Sequence, residues 1–185
     1  TARVQGLGRM KRFAALLAGL GLFLAAGAAL AQGADLSIAA NSAYLANNAR
    51  QPGVVVRPSG LQYKIIKSGF GKRPSPRDSV SCYYKGALIN GKVFDATEPG
   101  FPATFTVNQL IPGWTEALEL MREGDRWQLV IPAGLGYGER GAGDGNIPPN
   151  QTLVFDLEIL SVTPAPEEKP GDKDQSPGGS GAQDQ

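Results

Sequence analysis

Histidine does not occur in the 185 residues of this chain, and cysteine occurs once, as Cys82. Histidine is the commonest general base and the commonest zinc ligand in proteins. Its absence therefore excludes Ser-His-Asp catalysis, Cys-His catalysis and histidine-bearing metal sites. A single cysteine also excludes an internal disulfide and any CxxC redox or zinc motif. We expect no metal and no cofactor, and an activity that depends on shape, apolar surface and hydrogen bonds.

Excess charge of one sign is also missing, because 18 basic residues face 17 acidic ones. The segment up to Ala31 contains four basic and no acidic residues, so its removal would change the formal net charge from +1 to −3. A mildly acidic chain without a basic stripe is a poor candidate for nucleic-acid binding. We therefore expect no nucleic-acid partner.

Long hydrophobic runs are few, and the conspicuous one covers residues 13–31. Two basic residues precede this run, and an Ala-x-Ala cleavage signature ends it at Ala31. The arrangement predicts a signal peptide in residues 1–31, of which residues 1–9 are an upstream extension. An uncleaved membrane anchor is the alternative, since the run is uncharged and nearly long enough to span a bilayer. Its many Ala and Gly residues favour cleavage, so we expect an exported, periplasmic protein without a stable membrane anchor.

Composition divides the remaining chain into three parts. Residues 32–58 form a mixed lead-in, in which residues 37–49 are predicted to form a short helix before Pro52 and Gly53 end it. Residues 164–185 contain Pro, Gly, Ser, Asp and Gln and no large apolar side chain, so we expect them to be disordered. The folded domain is therefore predicted to cover residues 59–163.

Apolar residues within this domain mostly alternate with polar ones, which is typical of strands with one buried face. Asn90-Gly91 lies between two apolar runs and indicates a tight hairpin, because both residues tolerate positive φ. One stretch repeats at helical spacing instead, through Trp114, Ala117, Leu118 and Met121. The pattern predicts an α+β fold, an antiparallel five- to six-stranded sheet curled around one short α-helix.

Two glycine-rich motifs do not indicate ligand sites. Residues 136–141 fit G-x-G-x-x-G, but further glycines and a Pro-Pro pair follow where a phosphate-binding helix would have to begin. Asp144-Gly145-Asn146 opens like a calcium loop but lacks the later ligands, so a turn is expected. Cys82 shares a strand face with apolar neighbours, which predicts a buried, inert thiol.

Aromatic and aliphatic side chains remain as candidates for a binding site. Trp114 follows a Pro-Gly turn at a helix start, where one face of its ring can stay open. Tyr137 lies in a loop too rich in glycine to need a large core side chain. Asp95 needs a hydroxyl or guanidinium partner if it lies beside Phe94 in an apolar setting. A concave aromatic surface with a few polar tips is typical of a ligand pocket, although each residue could instead serve the core. The candidates are Tyr84, Phe94, Asp95, Phe105, Leu110, Ile111, Trp114, Tyr137, Ile147 and Phe155.

A longer series of motifs in residues 59–163 matches a known family in order and spacing. The matching positions are Gly60-Leu61-Gln62-Tyr63, Tyr84, Gly86, Gly91, Phe94-Asp95, Val107, Trp114, Gly124, Tyr137-Gly138, Ile147-Pro148-Pro149 and Leu153-Val154-Phe155-Asp156. The series resembles the FKBP-type peptidyl-prolyl cis-trans isomerases, and most closely their exported bacterial branch, such as the macrophage infectivity potentiators. The fold of that family, an antiparallel sheet curled around one short helix, agrees with the pattern read above.

The resemblance also implies a role for each site residue. Trp114 would form the floor under a proline ring, while the Ile111 backbone N–H and the Tyr137 hydroxyl would hold substrate carbonyls. Asp95 would orient Tyr137 or accept a hydroxyl from a ligand. The implied catalytic residues are Phe94, Asp95, Trp114 and Tyr137, and the implied substrate-binding residues are Tyr84, Leu110, Ile111, Ile147 and Phe155.

Two positions depart from the pattern of that family. Ala103 stands where many members have an aromatic wall residue, which leaves that side of the pocket more open. Residues 139–146 form a Gly-rich loop about one residue longer than is common, with Asn146 where an aliphatic residue is frequent. These departures bear on substrate preference more than on the reaction.

The implied function is cis–trans isomerisation of Xaa-Pro bonds in exported proteins, without a covalent step. A non-catalytic, chaperone-like binder of proline-containing segments is the alternative, which Ala103 and the altered loop keep open. Proline-containing unfolded or folding polypeptides are the expected partners, and macrolide inhibitors are a further implied ligand class. A monomer is expected, because the short lead-in lacks the long helix through which some relatives dimerise.

Overall fold

The computed structural model describes residues 35–166, so the predicted signal peptide and residues 167–185 of the predicted tail lie outside the described residues. Two α-helices are present in the described part, α1 (Ile38–Asn48) and α2 (Pro112–Leu120). The strands are β1 (Val54–Val56), β2 (Gln62–Lys67), β3 (Ser79–Leu88), β4 (Val93–Ala96), β5 (Ala103–Thr106), β6 (Arg126–Ile131) and β7 (Leu153–Thr163). Neither helix is long and apolar enough to cross a membrane.

One antiparallel sheet contains all seven strands. Six of them lie side by side in the order β1-β2-β6-β7-β3-β4. Strand β5 also pairs with β3, so β3 contacts β7 on one side and both β4 and β5 on the other. The predicted α+β class and antiparallel pairing are confirmed, but the prediction of five to six strands was too low. The missing strand is β1, which is only three residues long and therefore too short to show a period of two.

The core lies between α2 and the inner face of this sheet. The helix buries the side chains of Trp114, Ala117 and Leu118, as their spacing predicted. Met121, directly after the helix, is also buried in the core. Gly113 lies so close to β6 that an added Cβ would come within 2.6 Å of the Ile131 Cγ2 atom. This close approach fixes the beginning of α2, and with it Trp114, against the sheet.

Helix α1 is attached to the sheet rather than separate from it. Ser37 caps the helix by accepting a hydrogen bond from the Ala40 N–H at 3.1 Å. Asn41, which is 4% exposed, accepts a hydrogen bond from the Thr152 N–H at 2.7 Å and donates one to the Gln151 side chain at 3.2 Å. The boundary predicted at residue 59 therefore divides segments that are hydrogen-bonded to each other.

The β3–β4 hairpin turns at Asn90-Gly91, as the sequence predicted. Gly91 has a φ of 84°, and the Leu88 N–H donates to the Lys92 carbonyl at 2.9 Å. The register shifts between Gly86 and Ala87, and it pairs Gly86 with Asp95. This hairpin brings residues from both strands to one end of the core, where the cavity described next is found.

Candidate active site

A cavity of about 140 Å³ opens between the sheet and the start of α2. Its lining comes from strands β3, β4, β5 and β7, from the segment that leads into α2, from α2 itself and from the loop after β6. The lining residues are Tyr84, Phe94, Asp95, Phe105, Leu110, Ile111, Trp114, Tyr137 and Phe155. Most of these side chains are apolar or aromatic, and the polar atoms at the cavity are few, as in a small-molecule or peptide pocket.

Trp114 is the centre of the aromatic cluster in this cavity. The rings of Tyr84, Phe105 and Phe155 meet its indole edge to face, with centroids at 5.3, 5.9 and 5.2 Å and interplanar angles of 84–87°. Edge-to-face packing is a favoured arrangement of aromatic rings and holds each of them in a defined orientation. The indole is only 4% exposed, yet it lines the cavity, so it forms a floor rather than a projecting side chain.

Gly86 makes room for two walls of the cavity. A Cβ atom at this position would lie 2.6 Å from the Phe155 ring and 2.7 Å from the Phe94 ring. Phe94 and Phe155 also pack edge to face, with centroids 5.6 Å apart. A residue without a side chain in the middle of β3 therefore allows both rings to reach the site.

Asp95 accepts a hydrogen bond from the Tyr84 hydroxyl at 2.6 Å. The sequence predicted a hydroxyl or guanidinium partner for Asp95, and the structure provides the Tyr84 hydroxyl across the hairpin, where the resemblance implied Tyr137 or a ligand hydroxyl. Burial raises the pKa of the Tyr84 phenol above its usual 10.0, and the hydrogen bond to Asp95 and the carboxylate charge raise that pKa further. Tyr84 therefore remains a neutral donor to Asp95 at physiological pH.

Tyr137 is 39% exposed at the rim of the cavity. Burial, followed by the charge of Asp95, raises the pKa of its phenol. Its hydroxyl is thus protonated at neutral pH and able to donate a hydrogen bond to a bound carbonyl oxygen.

Ile111 directly precedes α2 and lines the cavity. Its carbonyl accepts hydrogen bonds from the N–H groups of Trp114 and Thr115, at 2.9 and 3.1 Å. Its own N–H makes no backbone hydrogen bond to another described residue. This N–H and the Tyr137 hydroxyl are therefore two donors available at the cavity.

One predicted site residue, Ile147, lies outside the cavity, and one candidate to which the resemblance gave no role, Phe105, lies in it. Ile147 is 6% exposed and belongs to the core cluster, and it is not among the residues that line the cavity. Phe105 does line it, although its alternation with polar neighbours in β5 was equally typical of a core residue. Ala103 lies on the same face of β5 as Phe105, because their partners on β3 are Cys82 and Val80.

Cys82 is buried, as predicted. Burial raises the pKa of its thiol to about 12, so the thiol is protonated and unreactive at neutral pH.

Comparison with known proteins places this site in a family. A model described as FKBP-type peptidyl-prolyl cis-trans isomerase matches residues 71–160, and a model of the domain amino terminal to it matches residues 18–65. A peptidyl-prolyl cis-trans isomerase structure from Pseudomonas syringae matches with a TM-score of 0.64 and 35% identity, over 69% of this chain and 93% of that one. The chain belongs to the FKBP-type peptidyl-prolyl cis-trans isomerase family. The family predicted from the motifs is thus confirmed.

Two further relatives are similar to this FKBP-type chain. The structure of FkpA from Escherichia coli matches with a TM-score of 0.66 and 43% identity, over 69% of this chain and 60% of FkpA. The "Outer membrane protein MIP" of Legionella longbeachae is 55% identical over 119 residues, which is 64% of this chain and 51% of the relative. The chain therefore spans about half the length of that relative.

Proposed function

We propose that this protein catalyses the cis–trans isomerisation of Xaa-Pro peptide bonds in exported polypeptides. The observation that supports the proposal most strongly is the aromatic cavity floored by Trp114 in a chain of the FKBP-type family. A pyrrolidine ring is small, apolar and disc-shaped, and it fits an enclosure made from aromatic faces and edges.

The reaction makes and breaks no covalent bond. Resonance keeps the prolyl amide planar, and rotation crosses a barrier of about 18–20 kcal/mol. Without catalysis the rotation takes roughly 10–100 s at 25 °C, which is slow enough to limit folding. In the twisted transition state the amide loses its conjugation, and its carbonyl oxygen carries less negative charge. A site that strips water from the planar amide and fits the twisted one therefore accelerates rotation, and each ~1.4 kcal/mol of preference gives about tenfold in rate.

The lining residues divide this task between them. Phe94, Trp114 and Phe155 form the apolar container that holds the proline ring away from water. The Ile111 N–H and the Tyr137 hydroxyl hold the substrate carbonyls that flank the rotating bond. Asp95 acts through Tyr84, because their hydrogen bond fixes one wall of the container. Leu110 adds apolar surface beside Ile111, and Ile147 supports the loop that follows Tyr137 from within the core.

We further propose the substrates, the location and the oligomeric state of the protein. The substrates are proline-containing polypeptides that are unfolded or still folding, and macrolides that mimic such segments compete for the cavity. The protein works as an exported, periplasmic enzyme after cleavage behind Ala31. It acts as a monomer. Relatives named FkpA and MIP support the bacterial, exported setting.

A protease-coupled assay on an Ala-Xaa-Pro-Phe peptide tests the proposal, using residues 32–185 with the full chain in parallel. The wild type is expected to accelerate cis-to-trans conversion, and Trp114→Leu is expected to lower kcat/KM at least tenfold while far-UV circular dichroism stays unchanged. An aggregation assay with an unfolded client runs beside it. Protection from aggregation without any acceleration of proline rotation would refute catalysis and establish a pure binder.

A further inference from the structure

We propose that Asn146 is a positioning residue that fastens the loop of residues 138–147 to the edge of β4. The proposal rests on the proposed isomerase function, because its consequence is a change in substrate binding. Asn146 is polar and exposed, so its side chain is not part of the core. Its side chain nevertheless makes a hydrogen bond to a strand that is 52 residues away in sequence.

The loop itself contains a small hairpin. The N–H and C=O groups of Ala142 and Ile147 form two mutual hydrogen bonds of 3.0 Å, and the Asn146 N–H donates to the Gly143 carbonyl at 2.9 Å. Asp144 and Gly145, at the turn, have φ values of 50° and 91°, which is the geometry of a type I′ turn. The loop is therefore held together by its own hydrogen bonds.

Ala142 and Ile147 pack against the core, and three hydrogen bonds join the rest of the loop to the domain. The Asn150 N–H donates to the Gly138 carbonyl at 2.8 Å, which closes the base of the loop. At the other end, the Asn146 side-chain amide donates to the Phe94 carbonyl at 3.2 Å, and the Lys92 ammonium lies 3.5 Å from the Asn146 carbonyl. Among the residues that the structure describes, β4 is an edge strand of the sheet, so no further strand lies beside it to bond its outward carbonyl. The amide of Asn146 satisfies this carbonyl.

The bonded carbonyl belongs to a residue of the cavity. Phe94 supplies a wall of the site, and the loop begins directly after Tyr137, which supplies a rim donor. The loop ends at Ile147, whose side chain is buried in the core. The hydrogen bond from Asn146 therefore sets the distance between the two sides of the cavity mouth. When it breaks, the loop populates open positions in which Tyr137 is no longer placed to hold a substrate carbonyl.

The expected effect follows from the strength of one hydrogen bond. Loss of such a bond raises the opening equilibrium of the loop by about twofold to tenfold. A substrate that binds only the closed loop then shows a higher KM, by at most that factor, because its apparent affinity is reduced by the closed fraction. The kcat value is unchanged, since the saturated complex holds the loop closed.

The test compares Asn146→Asp with Asp144→Asn and the wild type. Asn146→Asp is nearly isosteric but removes the N–H donor, whereas Asp144→Asn alters charge in the same turn without touching the hydrogen bond. Tryptic cleavage after Arg140, an exposed residue of the loop, measures opening without reference to activity. Steady-state isomerase kinetics on an Xaa-Pro peptide then separate KM from kcat.

We expect Asn146→Asp to be cleaved about twofold to tenfold faster and to show a raised KM at unchanged kcat, with Asp144→Asn like the wild type in both assays. Equal cleavage and equal KM in all three proteins would overturn the proposal. Faster cleavage at an unchanged KM would also overturn it, because the loop position would then not serve the substrate. If the wild type fails to accelerate isomerisation, the proposed function fails, and the cleavage rates still decide whether the bond fastens the loop.

Discussion

At the residue scale, both tryptophans of this chain are 4% exposed, and in both the indole N–H lacks a hydrogen-bond partner among the described residues. Burial and an unpaired N–H therefore do not distinguish Trp114 from Trp127. Their surroundings do, since Trp127 stacks on Tyr63 with centroids 4.3 Å apart, whereas Trp114 forms the floor of a cavity. The same side-chain type thus serves the core at one position and the site at the other.

The pairing of Tyr84 with Asp95 makes a residue-scale prediction. The Tyr84→Phe variant loses this hydrogen bond to a charged acceptor, and we expect its free energy of unfolding to fall by about 1.5–3 kcal/mol. We also expect its kcat/KM to be roughly tenfold lower, because one wall of the cavity is then less well fixed. A double-mutant cycle locates the effect. Tyr84→Phe combined with Asp95→Asn should be strongly non-additive, and Tyr137→Phe combined with Asp95→Asn close to additive. The reverse result would return Tyr137 to the role expected from the sequence.

Gly86 makes a second prediction at this scale. Gly86→Ala places a methyl group within 2.7 Å of the Phe94 and Phe155 rings, so one or both rings must move. We expect a loss of about 1–3 kcal/mol in the free energy of unfolding, and reduced isomerase activity, from this overpacking. Gly134→Ala is the matched control, because no atom lies within 4 Å of its added Cβ. Urea denaturation of both variants checks the prediction, and equal midpoints would contradict the proposed packing.

At the element scale, the buried amide of Asn41 joins α1 to Gln151 and Thr152, which directly precede β7. Asn41→Ala would leave the Thr152 N–H and the side-chain oxygen of Gln151 without their partner, and a buried unsatisfied group costs about 1–3 kcal/mol. Asn47→Ala, an exposed position on the same helix, should leave stability within about 0.5 kcal/mol of the wild type. Thermal denaturation distinguishes the two. If Asn41→Ala is as stable as Asn47→Ala, the helix does not depend on this contact.

Some features of these elements could be predicted from the sequence alone, and others could not. Strands β3, β6 and β7 were predictable, because each buries one face over at least six residues and so displays its period. The Tyr84–Asp95 pair was not, because it depends on a register shift between Gly86 and Ala87 that no local pattern records. Phe105 and Ile147 have the same apolar character in sequence, and only the packing of β5 and the loop decides which of them reaches the cavity.

At the scale of the whole molecule, carboxylates that accept backbone hydrogen bonds link stability to pH. Hydrogen bonds from the backbone of Val162 and Lys72 lower the pKa of Glu123 from its ordinary 4.5, and bonds from Ser75 and Ala165 lower that of Asp78 from 3.8. A lowered pKa means that the folded protein binds fewer protons than the unfolded chain. The stability from these bonds is therefore complete above the ordinary pKa values and is lost as the pH falls through the lowered ones.

The corresponding prediction concerns Glu123→Gln. Its difference in urea midpoint from the wild type should be largest at pH 7. It should shrink as the pH falls below about 4.5, because the unfolded chain then binds a proton at Glu123 while the folded protein, with its lowered pKa, does not. Measurements at pH 7, 5 and 3 check this. A difference that stays constant over this range would show that the charge of Glu123 does not contribute.

We propose that a proline ring binds on the Trp114 indole and is isomerised there. The most direct measurement follows the two indole N–H resonances by NMR while an Xaa-Pro peptide is added, with cis–trans exchange of the peptide recorded in the same samples. We expect the Trp114 resonance to shift in proportion to occupancy, the Trp127 resonance to stay in place, and the exchange rate of the peptide to rise. Accelerated exchange with neither indole shifted would contradict this location of the site, and no acceleration at full occupancy would contradict catalysis itself.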